Sequence, residues 1–307
     1  MRAAKKPAAR RFSHEAMATA FEVVIAGKGG AYAGQAARAA FDEIDRIERL
    51  FSRFDPSSEI SRVSRLRPGE ALPVGVETVH VLGLCSFVQL ETGGAFDPNF
   101  RAAAALPDGR RPPPPPLLAG LLRAAHTGAG FEVVRTGTAW PGLDLDLGAV
   151  GKGFALDSAR AVLADWGIAN VLLHAGTSTA LAAGPGPGRT DRGWPVGAGP
   201  GRILLRNEAL SGSGTEVKGE HVVDPRTGRP ARGHPAAWAK HPSAAAADAL
   251  STAFMVMRTA EVARFCARHP GIWALVKTGP ETCRIFNAGA AAGQGASRRR
   301  RQRWPSV

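Results

Sequence analysis

Between Leu143 and Gly184 the chain reads LDLDLGAVGKGFALDSARAVLADWGIANVLLHAGTSTALAAG. Alternating leucines, a glycine-rich turn, a helical run closing at Gly167 and a second apolar run prescribe strand, turn, helix and strand. A helix with an apolar stripe must bury it against a second layer, so this unit calls for helices packed on a sheet. The flanks extend the pattern. MATAFEVVIAG, from Met17 to Gly27, reads as a first strand, and Ala37, Phe41, Ile44, Ile47 and Phe51 then recur at helical spacing from Ala33 to about Arg53. Asp55, Ser57 and Ser58 can cap a short second helix with Glu59 in its first turn. A third helix spans roughly Val76 to Leu90, ends at Gly93-Gly94 and leads to AFDPNF, read as a strand-to-turn exit. A last helix starts near Ser243 and stops before Pro270, and IWALVKTG with CRIFNA reads as a closing hairpin. Strands and helices mix without strict βαβ repetition, which predicts an α+β fold of mixed or antiparallel sheets flanked by helices.

At 307 residues and 44% hydrophobic the chain can bury a sizeable core. Its formal charge of +13 suggests nucleic acid or membrane until it is located. Arg2, Lys5, Lys6, Arg10 and Arg11, with five arginines between residues 298 and 303, carry ten of those charges. The basicity therefore belongs to the ends, and no nucleic-acid-binding module is recognised in the body. This assigns residues 1–12 to a basic disordered tail, 13–288 to a single domain and 289–307 to a disordered Arg-rich tail. PDGRRPPPPP, residues 107–116, is too proline-rich for regular structure and reads as a stiff surface insertion. Cys85, Cys266 and Cys283 are odd in number and far apart, which suggests neither a disulfide framework nor a zinc site. With no apolar secretory segment and no run long enough to span a bilayer, the expectation is a soluble, cytoplasmic protein without a membrane segment.

Several motifs admit chemistry, each beside a plainer reading. In GAVGKGFALD, Lys152 is followed by Gly153 and Phe154 and so is not a phosphate-loop lysine, although a glycine-rich helix start still offers N–H groups to an anion. Asp248 and Thr252 stand four residues apart, on one helix face, with Leu250, Ala253, Phe254 and Met257 roughly opposite. That pair is either a solvent-facing polar stripe or two oxygen ligands for a hard cation. HVVDPRTGRP, residues 221–230, reads as a short buried strand before a tight turn, with His221 a structural group or a base. Asp97 and Asp224 each sit in an Asp-Pro turn, and Met17 and Phe54 are core residues on spacing alone.

In combination these segments say more. MATAFEV, FSRFDPSSEISRVSR, AFDP, LDLDLGAVGKGFALD, HVVDPRTGRP and ADALSTAFMVM, in that order, resemble the ApbE family of FAD:protein FMN transferases from Met17 to about Ala288. The resemblance implies a T-fold-like architecture and an enzyme that binds FAD and Mg²⁺ and cleaves the pyrophosphate. Such an enzyme attaches FMN through its phosphate to a Thr or Ser hydroxyl of a target flavoprotein, releasing AMP. Carried over by position, Asp248, Thr252 and the Ala149 carbonyl match the metal ligands. Met17, Phe54, Ala95, Phe96, Asp97, Asp146, Lys152 and the backbone of Val223 match flavin-nucleotide contacts, and His221 matches a histidine of the transfer step. The chain departs from the family at Ala175 and Thr177, where Gly-Gly-Asp is common, at Ala18 in MATAF and at Asn99 in FDPNF. The competing classes are an FAD pyrophosphatase or flavin-binding protein without transfer, and a nucleic-acid-binding protein acting through its arginines.

Overall fold

A computed structural model describes residues 9–104, 116–136, 142–187, 192–214 and 223–291. The centre is an eight-stranded sheet in the order β1 (Ala9–Ala16), β2 (Thr19–Ala26), β6 (Val171–Ala175), β7 (Thr179–Ala183), β10 (Glu208–Gly214), β13 (Ala236–His241), β14 (Trp273–Lys277) and β15 (Cys283–Phe286). Every neighbouring pair is antiparallel. Side chains alternate across it, as a pleated strand requires. Val23, Ile25, Leu173, Ala274 and Val276 face a core shared with the helices, while Leu172, Leu210, Trp273 and Leu275 face the other way. That second face is covered by the ribbon β8 (Trp194–Ala198) and β9 (Gly201–Leu205).

Helices α1 (Gly30–Phe51), α6 (Gly151–Asp165) and α7 (Ala244–Val256) lie in the helical layer. The stripe Ala37, Phe41, Ile44, Ile47 and Phe51 of α1 is buried, as its spacing predicts. A second layer holds β3 (Ala71–Val74), β4 (Leu122–Thr127) and β5 (Gly130–Arg135) in the order β3-β5-β4. Against it pack α2 (Glu59–Ser64), α3 (Val76–Glu91) and α5 (Leu118–Leu121), and α4 (Phe100–Ala104) follows α3 in the chain. Ser58 caps α2 by accepting the Ser61 N–H at 3.0 Å. Among the described residues no helix is long and apolar enough to cross a membrane.

Four expectations need correction. The boundary placed at residue 13 falls inside β1, which pairs with β2 from Ala9 onward. Charge disguised this edge strand: Arg11 pairs with Glu22 across the ladder at 3.2 Å, while Phe12 turns inward to the core. The AFDP segment does not leave a strand; it follows the exit turn of α3, where Gly93 and Gly94 take φ of 60° and 79° and Gly94 N–H returns to the Gln89 carbonyl. Leu143–Leu147 alternates but joins no ladder, because its N–H groups are taken by Asn99 Oδ1, Ser64 Oγ and the Pro98 carbonyl. The final helix is two, since α7 stops at Val256 and α8 (Thr259–Arg268) restarts after an extended Arg258 whose N–H is capped by Glu261 at 2.7 Å. Residues 105–115, which hold all of the proline-rich stretch but its last residue, and the C-terminal residues 292–307 lie outside the described residues. A short 3-10 turn, Ala288–Ala291, follows β15.

Candidate functional site

The helical layer reaches the site through one contact between α6 and α7. Gly153 and Asp157, four residues apart on α6, meet the first turn of α7. A Cβ at Gly153 would press on the Ala244 carbonyl oxygen, so the two backbones approach as only glycine allows. The partly buried Asp157 carboxylate accepts Ser243 Oγ at 2.7 Å and the Ala244 and Ala245 N–H groups at 2.9 Å. Burial pushes its carboxyl upward, against these donors. One turn later on α7 comes Asp248.

Asp248 is 3% exposed, which excludes the solvent-facing stripe. Its Oδ1 accepts Ser211 Oγ at 2.9 Å and Thr179 Oγ1 at 3.2 Å. Its Oδ2 accepts the Gly153 N–H at 3.2 Å and lies 3.7 Å from Lys152 Nζ, which also donates to the Gly148 carbonyl at 3.1 Å. Thr252 Oγ1 is 3.2 Å from Ser213 Oγ, and Ser213 is 2.8 Å from Ser251. A buried carboxylate thus sits in a collar of hydroxyls, one backbone N–H and an ammonium.

This centre forms part of the wall of a cleft of about 1040 Å³. The same cleft is lined by Met17, Ala95, Phe96, Asp97, Asp146, Ala149, Lys152, Val223, Asp248 and Thr252, so ten of the residues singled out from sequence come together. Met17 is at the β1–β2 turn, where it and Ala18 take φ of 50° and 56°, the left-handed pair of a two-residue hairpin. Its N–H donates to Glu48 Oε1 on α1 at 2.8 Å. Asp146 accepts the Gly148 N–H at 2.9 Å and pairs with Arg53 at 3.2 Å. Asp97 is 5% exposed; its Oδ1 accepts the Asn99 N–H, and the Gln89 side chain beside it also favours the charged carboxylate. Burial pushes the Asp97 carboxyl up to about 6.

Two predicted residues stand apart. Phe54 is neither core nor cleft lining: it is 81% exposed, its ring under the Arg53 guanidinium at 4.2 Å. His221 lies outside the described residues, as does the Glu220–Val222 part of the expected strand; Val223–Asp224 forms a two-residue β11 against β12 (Arg229–Pro230).

The sequence reading missed the hydroxyl collar of Thr179, Ser211, Ser213 and Ser251. Its signal was available for two of them, because Ser211 and Ser213 alternate in SGSG and must share one strand face. It also missed Arg53 beside Asp146, and Trp238, whose ring lies on Gly212 so closely that a Cβ there would stand 2.5 Å from the indole.

As a donor set, the Asp248 carboxylate, Thr252 hydroxyl and Ala149 carbonyl are hard oxygens with one negative charge. They fit a cation such as Mg²⁺ that fills the rest of its shell with water and phosphate oxygens. Among the described residues no three His, Cys, Asp or Glu side chains cluster, so a ligand-rich metal cage is not what these residues build.

A family model described as the ApbE family matches residues 17–276. A curated FAD:protein FMN transferase of Rhodobacter capsulatus is 33% identical over 144 residues, covering 42% of this chain and 27% of that relative's length. The fold is that of the Pseudomonas stutzeri flavinyl transferase ApbE in its apo form, with TM-score 0.75, 20% identity, and 93% of this chain and 97% of that chain covered. The Thermotoga maritima ApbE protein superposes with TM-score 0.71 at 24% identity over 88% of this chain and 94% of its own. The Vibrio cholerae flavin transferase ApbE gives 0.70 at 19% identity over 92% and 99%.

Proposed function

The chain belongs to the ApbE family, and from that premise we propose that it transfers FMN from FAD to a Thr or Ser hydroxyl of a target flavoprotein, releasing AMP. The observation that carries this reading is the buried Asp248 paired with Lys152 in the same cleft as Ala95–Asp97 and Val223. In the reaction the acceptor oxygen forms a bond to the FMN phosphorus, the bond from that phosphorus to the AMP phosphate oxygen breaks, and the hydroxyl proton leaves. Such a step demands positioning and charge neutralisation more than covalent help. Lys152, held between Asp248 and the Gly148 carbonyl, brings a fixed positive charge to the phosphates. Asp146 and Asp97 present acceptors to the polar edges of the nucleotide. His221, two residues before Val223, takes the proton, imidazole being the side chain type suited to general-base work near neutrality.

Asp248, Thr252 and the Ala149 carbonyl would hold Mg²⁺, which when bound neutralises pyrophosphate charge. Three free cysteines, two of them buried, support assignment to a reducing compartment, the cytoplasm. The test is incubation with FAD, Mg²⁺ and candidate flavoproteins, read by intact mass and AMP release. The expected result is an acceptor heavier by one FMN less one water for each AMP formed. AMP with an unmodified acceptor would instead make the protein an FAD pyrophosphatase, and intact FAD throughout would remove the activity.

A further inference from the structure

The turn after β11 carries a guanidinium that the proposed chemistry does not use. Arg226 donates through Nε to Asp224 Oδ1 and through Nη2 to Asp224 Oδ2, both at 2.9 Å, a two-pronged pair within one turn. Its backbone N–H binds the same Asp224 Oδ1 at 2.9 Å, so turn and side chain are fixed as one unit. From there the guanidinium reaches outward. Nη1 donates to Glu261 Oε1 on α8 at 3.1 Å, and Nη2 approaches the Val256 carbonyl, the last of α7, at 3.4 Å. A helix C-terminus favours a cation there, and Glu261 is itself anchored by the Arg258 N–H. The aliphatic stem lies on the exit turn of α3, where a Cβ on Gly94 would stand 3.5 Å from Arg226 Cγ.

Each of these three places supplies cleft wall. Val223 and Pro225 come from the Arg226 turn, Met255 and Val256 from the end of α7, and Ala95 to Asp97 from the segment after Gly94. We propose that Arg226 is a positioning residue: one guanidinium ties three separate walls of the cleft together and so fixes its width. Lysine can replace it only in part, because a single ammonium lacks the planar fork that serves Asp224, Glu261 and Val256 at once. The inference rests on the proposed flavin transfer for its catalytic consequence, and on geometry alone for the linkage.

The experiment compares wild type with Arg226→Gln, Arg226→Lys and Glu261→Gln by hydrogen exchange and by kinetics of AMP release from FAD. In Arg226→Gln, exchange should quicken by on the order of tenfold in peptides covering residues 92–97, 223–230 and 255–262 together, the scale of one charge-assisted hydrogen bond. Peptides from α1 should be unchanged. The kcat for AMP release should fall on the order of 10- to 100-fold, as small misplacements do, with a smaller change in KM and partial recovery in Arg226→Lys. Glu261→Gln, which keeps an acceptor but removes the charge from one arm and from the α8 cap, should fall between and serves if Arg226→Gln fails to fold. Native exchange at residues 92–97 and 255–262 in the variants overturns the proposal, as does a kcat equal to wild type. If the wild-type protein neither binds FAD nor releases AMP, flavin transfer falls, and the exchange pattern alone decides Arg226.

Discussion

Asp248 shows how much burial changes the meaning of a residue. On an exposed face, Asp→Ala is nearly silent; here it removes the acceptor for the Ser211 and Thr179 hydroxyls, the Gly153 N–H and the Lys152 ammonium. Asp248→Ala should therefore lower stability by about 1–3 kcal/mol and abolish the proposed Mg²⁺-dependent AMP release. Asp248→Asn should recover most of the stability and none of the activity. Denaturant melts beside an AMP assay separate the two effects, and a stable, active Asp248→Ala protein contradicts the role given to this carboxylate. Asp97 is the opposite case, a carboxyl that folding penalises when charged. Its folded pKa of about 6 lies above the ordinary carboxylate value because of burial. Between about pH 4 and pH 6 the unfolded chain loses this proton first, so stability falls as pH rises through that window and the loss persists above it. The deficit is roughly 3 kcal/mol at full effect. Asp97→Asn should raise the unfolding midpoint at pH 8 and do little at pH 4, and an equal shift at both values would argue against a charge origin. Both aspartates were visible in sequence as members of short motifs, but their burial was not, because it depends on segments far away along the chain.

Elements were legible where one local pattern fixed them. The stripe of α1, the Ser58 cap of α2 and the β14–β15 hairpin follow from spacing, capping and turn residues alone. Elements were misread where tertiary partners decide. Leu143–Leu147 has strand alternation, yet Asn99, Ser64 and Pro98 take its donors. The α7–α8 break has an arginine at the capping position, a residue type that carries no such signal, and only the Glu261 carboxylate three residues on marks it. The hydroxyl collar needs β7, β10 and α7 side by side, a conjunction no single stretch of sequence records. The α6–α7 crossing gives a prediction at this scale. Gly153→Ala improves helix propensity by about 1 kcal/mol, but its methyl meets the Ala244 carbonyl and must force the helices apart. The net result should be a loss of about 1–3 kcal/mol in chemical denaturation and weaker FAD binding, since Lys152 and Asp248 ride on the two displaced helices. A stabilised Gly153→Ala protein would show that the crossing has slack.

For the whole molecule, the sheet is an antiparallel array with β1 at one margin and the site near its middle, at β7 and β10. Removing residues 1–12 would strip half of the partners that β1 gives β2, and the inward Phe12. That truncation should lower the thermal midpoint by several degrees, the response of a domain this size to about 1–2 kcal/mol, while leaving FAD affinity near wild type. An unchanged midpoint would restore the tail reading of Ala9–Phe12. The same sheet has a further property: reading across it, strand by strand, is also reading along the chain, β1 through β15 without a backward step. A ribosome delivering this polypeptide from its N-terminus can therefore lay each strand against a neighbour already released. The anionic centre obeys a different schedule. Gly153, Thr179 and Ser211 precede Asp248 by 95, 69 and 37 residues, and Asp157 waits 87 for the helix start it holds. Nascent chains thus acquire most of their sheet before they acquire the carboxylate, and a product of interrupted translation is a scaffold without its charged centre.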